Sequence, residues 1–305
     1  MSARDFISLE NVGREELLEV MELARDQEEG RLGRLLEGRT VCLAFFEPST
    51  RTAASFELAA RRAGADVVSL SSGTSSISKG ESLVDTVVTL DRLGMDALII
   101  RHPAAGAASL ASRHTSAAVV NAGDGCGQHP TQALLDLYAL GKSLGGFEEL
   151  AGRRAAIVGD ILHSRVARSV IPAFGTAGIE VSLVAPATLL PREADVWRLP
   201  VLGSVDEALE WGAEVLYMLR LQKERMSGAL VPSVAEYARY YGVGRRHLRP
   251  GVRVMHPGPV NRGVEIASDV VLDGSSLIPD QVSAGIAVRT AVLALATGSV
   301  ERAAA

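Results

Sequence analysis

The chain has 305 residues, 47% of them apolar and 22% charged, with a formal net charge of −5. That length suits two domains of ordinary size rather than one core. The acidic balance argues against a nucleic-acid surface, which carries a basic excess, and no apolar run reaches the roughly 18–20 residues that span a bilayer.

The N-terminal stretch "MSARDFISLENVGREE" carries charges throughout and has no apolar h-region. No secretory signal is expected, and the expected location is the cytoplasm. Short β-branched runs then alternate with helical patterns. The predicted strands are "VCLAFF" (41–46), "DVVSL" (66–70), "DALIIR" (96–101) and "AAVVNA" (117–122). A second series follows: "AAIVGD" (155–160), "IEVSLVAP" (179–186), "EVLYML" (214–219) and "VRVM" (252–255). Runs apolar on both faces, separated by helices, predict parallel sheets covered on both sides. The Gly-rich, charged "GKSLGGFEELAGRR" falls between the two series, and "DQVSAGIAVRTAVLALATG" (280–298) predicts one long closing helix. The reading is therefore an α/β chain of two doubly wound parallel-sheet domains, 1–146 and 147–284. A C-terminal helix, 285–305, packs back on the first domain.

Ligands of open parallel sheets bind outside the carboxyl ends of the strands. In this chain the segments that follow the strands are polar and cationic. "EPSTRT" follows the first strand, where Ser49, Thr50, Arg51 and Thr52 open a helix. A helix N-terminus presents unpaired N–H groups and favours a phosphate. The hydroxyls add donors, and the planar Arg51 binds two oxygens at once. An ordinary N-cap accounts for a lone Ser or Thr. It does not account for Arg51, a cation that opposes the helix dipole in the first turn. The pattern is neither GxxxxGK[ST] nor GxGxxG.

Further along, Arg101 ends a strand, and "GQHPTQALLDLY" places His129 before a helix that Pro130 begins, with Gln132 one turn inside. In the second series Arg165 opens the first helix. Arg220 and Gln222 alternate after a strand, so they project to one side if the chain stays extended. Arg165 and Arg220 together suit a substrate with two carboxylates. The carbonyls near Gly258 and Pro259 in "HPGPVNRG" can accept from an amine or amide, and His256 reads as structural. Cys42 lies in an apolar run and reads as buried packing. The two cysteines form neither a disulfide framework nor a CxxC metal site. Only Lys79, Lys142 and Lys223 are lysines.

Taken in order, "FFEPSTRT", "KGESLVDT", "IIRHP", "GQHPTQALLDLY", "GDILHSRVARS", "LYMLRLQKERM" and "HPGPVNRGVEI" resemble the catalytic chains of the aspartate carbamoyltransferase family, over about residues 6–297. The resemblance implies the transcarbamoylase fold and transfer of a carbamoyl group from carbamoyl phosphate to L-aspartate. It implies a homotrimer with active sites shared between neighbours, no cofactor and no metal. A regulatory chain or a dihydroorotase is a possible further partner. Carried over residue by residue, Ser49, Thr50, Arg51, Thr52, Arg101, His129 and Gln132 bind carbamoyl phosphate. Ser75 and Lys79 enter from the adjacent subunit, with Lys79 also reaching aspartate. Arg165, Arg220 and Gln222 bind aspartate, and Gly258 and Pro259 touch the carbamoyl end. Two positions depart from the pattern: Ala53 stands where relatives carry a second arginine, and Cys126 where a small residue such as Ala is common. The rivals are an ornithine carbamoyltransferase, a non-catalytic assembly chain and a nucleotide-binding dehydrogenase. Two arginines in the second series disfavour the first, an intact set of site residues the second, and the missing glycine fingerprint the third.

Overall fold

The structure is a computed structural model that describes residues 5–71, 80–192, 197–222 and 233–300. The chain divides into two compact units, Met1–Leu135 with Ala284–Ala305, and Asp136–Ser283.

In the first unit α1 (Arg14–Glu28) precedes β1 (Thr40–Phe45), α2 (Thr50–Arg62), β2 (Asp66–Ser71), α3 (Leu83–Arg92), β3 (Ala97–His102), α4 (Ala107–Ser112), β4 (Ala118–Asp124) and the start of α5 (Pro130–Leu144). The four strands are parallel, in the order β2-β1-β3-β4. The N-terminal segment adds a parallel bridge at the β4 edge, with Phe6 N–H donating to Val119 O at 2.8 Å. β4 is buried along its whole length. Its run "AVVNAGD" shows none of the alternation a one-sided strand would show. On one face Cys42, Ala44, Leu98, Ile100 and Val119 pack with Val87 and Leu90 of α3 and with Ala108 and Ala111 of α4. A fully buried side chain such as Leu98 contributes about 2 kcal/mol by leaving water. α2 buries Thr52, Phe56, Ala59 and Ala60, one stripe at helical spacing.

The second unit runs through β5 (Arg154–Val158), α6 (Arg165–Thr176), β6 (Glu180–Val184), β7 (Val201–Leu202), α7 (Val205–Trp211), β8 (Val215–Met218), α8 (Val234–Tyr241), β9 (Arg253–Met255) and the start of α9 (Ile278–Ala296). Its sheet is parallel, in the order β7-β6-β5-β8-β9. Val158, Leu216, Met218 and Val254 form its core with Val205, Ala208 and Leu209 of α7.

Every predicted strand is present, with ends shifted by one or two residues. β7 was not predicted, because two residues show no periodicity. The last helix returns to the first unit, as expected. Arg289 of α9 lies with its Cζ 5.0 Å from the Phe56 ring centre, and its Nη1 donates to Ser55 Oγ at 2.5 Å. Beyond the helix, Thr297 O accepts from Arg39 Nη2 at 3.0 Å. Among the described residues no helix is long and apolar enough to cross a membrane.

Candidate active site

Both sheets reverse their strand order once. In the first the chain moves from β1 outward to β2, then returns to place β3 on the other side of β1. In the second it moves from β5 to β6 and β7, then returns to place β8 beside β5. Such switch points part the loops that follow the two central strands and open a crevice there. Of the sequence-predicted residues, Ser49, Thr50, Arg51, Thr52 and Arg101 fall at the first point, and Arg165, Arg220 and Gln222 fall at the second.

In the first unit the loop after β1 leads into α2 with Ser49 as N-cap. The Ser49 side chain makes no capping bond, and the first turn holds no acid. Thr52 is buried, while Thr50 and Arg51 are exposed at the helix start. Across the switch point Arg101, 9% exposed, is the penultimate residue of β3. Its Nη1 donates to Ala122 O at 3.1 Å, and its Nη2 lies 3.5 Å from Glu47 Oε1. One guanidinium thus ties together β3, β4 and the loop of Ser49–Thr52. The next ring, His102, meets Phe46 edge-on at 5.6 Å, and its Nδ1 accepts from Ala104 N at 3.0 Å. Burial, opposed by Asp124 and Glu47, holds its pKa below the ordinary value.

After β4 the turn is organised by Asp124, which is 4% exposed. Oδ1 accepts from Asn121 Nδ2 at 3.0 Å and from Gln128 N at 2.7 Å, and Oδ2 accepts from Gly106 N at 2.6 Å. Gly125, at φ +49°, passes so close to the 103–105 loop that a Cβ there would lie 2.6 Å from Pro103 O. This turn delivers His129 and Gln132, both buried, to the start of α5, whose first residue is Pro130.

In the second unit Gly159 and Asp160 follow β5. At φ +123° a Cβ on Gly159 would lie 2.7 Å from Tyr237 Oη and 2.9 Å from Leu219 O, so the β5 and β8 loops pass without room for a side chain. Asp160 Oδ1 accepts from His163 Nδ1 at 2.8 Å, and Oδ2 accepts from Gln222 N at 3.2 Å. Gln222 Nε2 donates to His163 O at 3.1 Å. Ser164 caps α6 by accepting from Ala167 N, and Arg165, 8% exposed, is the first helical residue. Burial alternates after β8, with Leu221 inside and Arg220 and Gln222 half-buried, as the extended reading required.

Glu265 ties that segment to the Gly/Pro loop. Oε1 accepts from Leu221 N at 2.9 Å and from Asn261 Nδ2 at 2.7 Å, and Oε2 accepts from Asn261 N at 2.7 Å. Burial raises its pKa against these bonds, which lower it. Gly258–Pro259 is a cis peptide, and Gly258 N donates to His256 Nδ1 at 2.7 Å.

Ser75 and Lys79 lie outside the described residues, as do Lys223 and Arg225. Cys42 is buried in β1, its thiol pushed up to about 12, whereas Cys126 is exposed. Among the described residues no group of three His, Cys, Asp or Glu side chains is placed to hold a metal. The residues that sequence reasoning passed over are the carboxylates Glu47, Asp124, Asp160 and Glu265. An acid among glycines or prolines after a strand was their only signal.

Residues 4–142 match the family described as "Aspartate/ornithine carbamoyltransferase, carbamoyl-P binding domain". Residues 151–296 match "Aspartate/ornithine carbamoyltransferase, Asp/Orn binding domain". The chain belongs to the aspartate/ornithine carbamoyltransferase family. Within that family it is 77% identical over 305 residues, all of both chains, to the aspartate carbamoyltransferase catalytic subunit of Rubrobacter xylanophilus. It is 52% identical over 271 residues to that of Caulobacter vibrioides, covering 88% of this chain and 80% of the relative. Among solved structures it resembles the aspartate transcarbamoylase of Trypanosoma cruzi in complex with carbamoyl aspartate and phosphate. The TM-score there is 0.86, with 32% identity and 96% of each chain covered. Against the ornithine carbamoyltransferase of Pyrococcus furiosus the TM-score is 0.85 at 27% identity, over 97% of this chain and 98% of that one. The family's two activities share one backbone, so the fold cannot choose between them.

Proposed function

We propose that the chain is an aspartate carbamoyltransferase catalytic subunit. It moves the carbamoyl group of carbamoyl phosphate to the α-amino group of L-aspartate, giving N-carbamoyl-L-aspartate and phosphate, an early step of pyrimidine biosynthesis. The observation that carries this reading is the 77% identity, end to end, with a catalytic subunit of that activity. The chemistry of the second switch point supports it, since Arg165 and Arg220 suit two carboxylates and oppose a cationic ornithine side chain.

The neutral amine attacks the carbonyl carbon, a tetrahedral intermediate forms and the C–O bond to phosphate breaks. The amine proton leaves with the phosphate. The protein's task is to hold two anions together and neutralise their repulsion. Ser49, Thr50, Arg51 and Thr52 take the phosphate. Thr52, Arg101 and His129 donate to the carbonyl oxygen as its charge grows. One such donor is worth about 3 kcal/mol in the transition state. Gln132 completes that pocket. Arg165, Arg220 and Gln222 hold aspartate, and the loop at Gly258 and Pro259 meets the carbamoyl end. The carbamoyl-phosphate domain is 1–146, the aspartate domain 147–284, and 285–305 returns to the first.

The assembly in this reading is a cytoplasmic homotrimer. Ser75 and Lys79 of one subunit complete the site of its neighbour, and a regulatory chain or a dihydroorotase is a further partner class. The deciding experiment offers L-aspartate or L-ornithine in parallel with carbamoyl phosphate and identifies the product. Carbamoyl-L-aspartate is expected. Citrulline would keep the first cluster and overturn the assignment of Arg165 and Arg220.

A further inference from the structure

Between Glu236 and Glu265 the chain carries no acidic residue and six arginines, at 239, 245, 246, 249, 253 and 262, in a protein of formal net charge −5. None of them belongs to the site proposed above. In the second unit this stretch folds around a groove of about 390 Å³, lined by Arg239, Arg245, Arg246 and His247 over backbone from Gly242–Gly244 and Gly263–Val264. No carboxylate lines it. Two acids each pair with one of these arginines: Asp269 accepts from Arg245 Nε at 3.0 Å, and Asp206 lies 3.6 Å from Arg246 Nη2 and also 3.4 Å from His247 Nε2. Both arginine pairs are exposed to solvent, so each contributes little and yields readily to a stronger anion.

The floor is open where it matters. Gly244 has extended backbone at φ −122°, and a Cβ there would meet nothing within 4 Å. Three guanidiniums line one concavity, and although Arg246 donates from Nε to His247 Nε2 at 3.0 Å and from Nη2 to Arg239 O at 3.2 Å, together they match an anion with several oxygens. The volume falls within the roughly 300–1,000 Å³ of small-molecule sites.

We propose that this groove binds a small molecule carrying two or more phosphate groups, at a site separate from the catalytic one. Inorganic pyrophosphate is the probe. It is titrated by calorimetry at low salt into the full-length protein and into three variants. Binding at the groove is expected to persist in Arg51→Ala, which disables the other phosphate cluster. It is expected to weaken at least twenty-fold in Arg239→Ala/Arg245→Ala, which removes charge, and in Gly244→Leu, which fills the space and keeps the charge. Both groove variants should retain wild-type turnover without pyrophosphate. A single class of sites that vanishes in Arg51→Ala and survives the double variant would overturn the proposal. So would a Gly244→Leu protein that binds as well as wild type, since the anion would then sit on diffuse surface charge and not in the groove.

Discussion

Arg101 and Glu47 form an ion pair across the first switch point, Nη2 to Oε1 at 3.5 Å, with Arg101 the more buried partner. The carboxylate and the Ala122 carbonyl hold the guanidinium from two sides, so its aim depends on both. Glu47→Gln keeps the volume and removes the charge. Its kcat is expected to fall about tenfold, with a smaller change in KM for carbamoyl phosphate, because misaim costs more in the transition state than in binding. Unchanged steady-state kinetics would remove Glu47 from any positioning role.

Arg51 stands in the first turn of α2, where no acid accompanies it. Arg51→Ala should leave circular dichroism and thermal unfolding close to wild type, since the side chain is exposed. Turnover should drop by about two to three orders of magnitude. Near-normal turnover in that variant would sink the phosphate assignment.

The proposed sharing of sites between subunits makes a different prediction. Lys79→Ala and Arg101→Ala subunits, each inactive alone, should regain part of the wild-type rate when unfolded and reassembled together. A mixed trimer then contains a site that draws Lys79 from one subunit and Arg101 from another. Verified hybrid trimers with no recovered activity would count against sharing.

Glu265 predicts a pH dependence of stability. Its pKa in the folded chain is raised above the ordinary 4.5, chiefly by burial. The folded state therefore holds its proton more tightly than the unfolded state. Its contribution is fully present below 4.5 and is lost as pH rises through the raised folded value. Urea unfolding measured upward from pH 4 should show wild type losing stability relative to Glu265→Gln over that window. Parallel curves for the two proteins would refute the assignment.

The two thiols should separate kinetically. Cys42 is buried with its pKa near 12, so roughly one part in ten thousand is thiolate at pH 8. A disulfide reagent should titrate one thiol per native chain, removed by Cys126→Ser, and two after denaturation. Two fast thiols in the native protein would contradict the buried β1.

The parts of this molecule legible in sequence are those whose cause is local. "VCLAFF" and "DALIIR" read as strands because both faces are apolar; the register that pairs Val41 with Ala97 does not follow from that, since a slip by one residue would still bury apolar side chains. Arg51 was visible because a cation at a helix start violates the dipole. Asp124 was not visible as an organiser. The groups it serves, Gly106 and Gln128, come from both sides of it in sequence, and an Asp between glycines reads as an ordinary turn residue. Glu265 was hidden for the same reason, since its partner Leu221 lies 44 residues away. The groups that bear the proposed chemistry announce themselves by type. The groups that aim them emerge only when distant backbone N–H donors are brought together.

The return of α9 to α2 has a consequence for biosynthesis. A ribosome delivers α2 early, but Ser55 and Phe56 meet Arg289 only when the final helix emerges. The intervening unit, Asp136–Ser283, can fold first, because all its strands have left the ribosome by then. The first unit to be synthesised is thus the last to be completed. A nascent chain stalled before residue 284 would hold a carbamoyl-phosphate half with the Ser55–Phe56 part of α2 uncovered, a form that a chaperone or protease could distinguish from the finished chain.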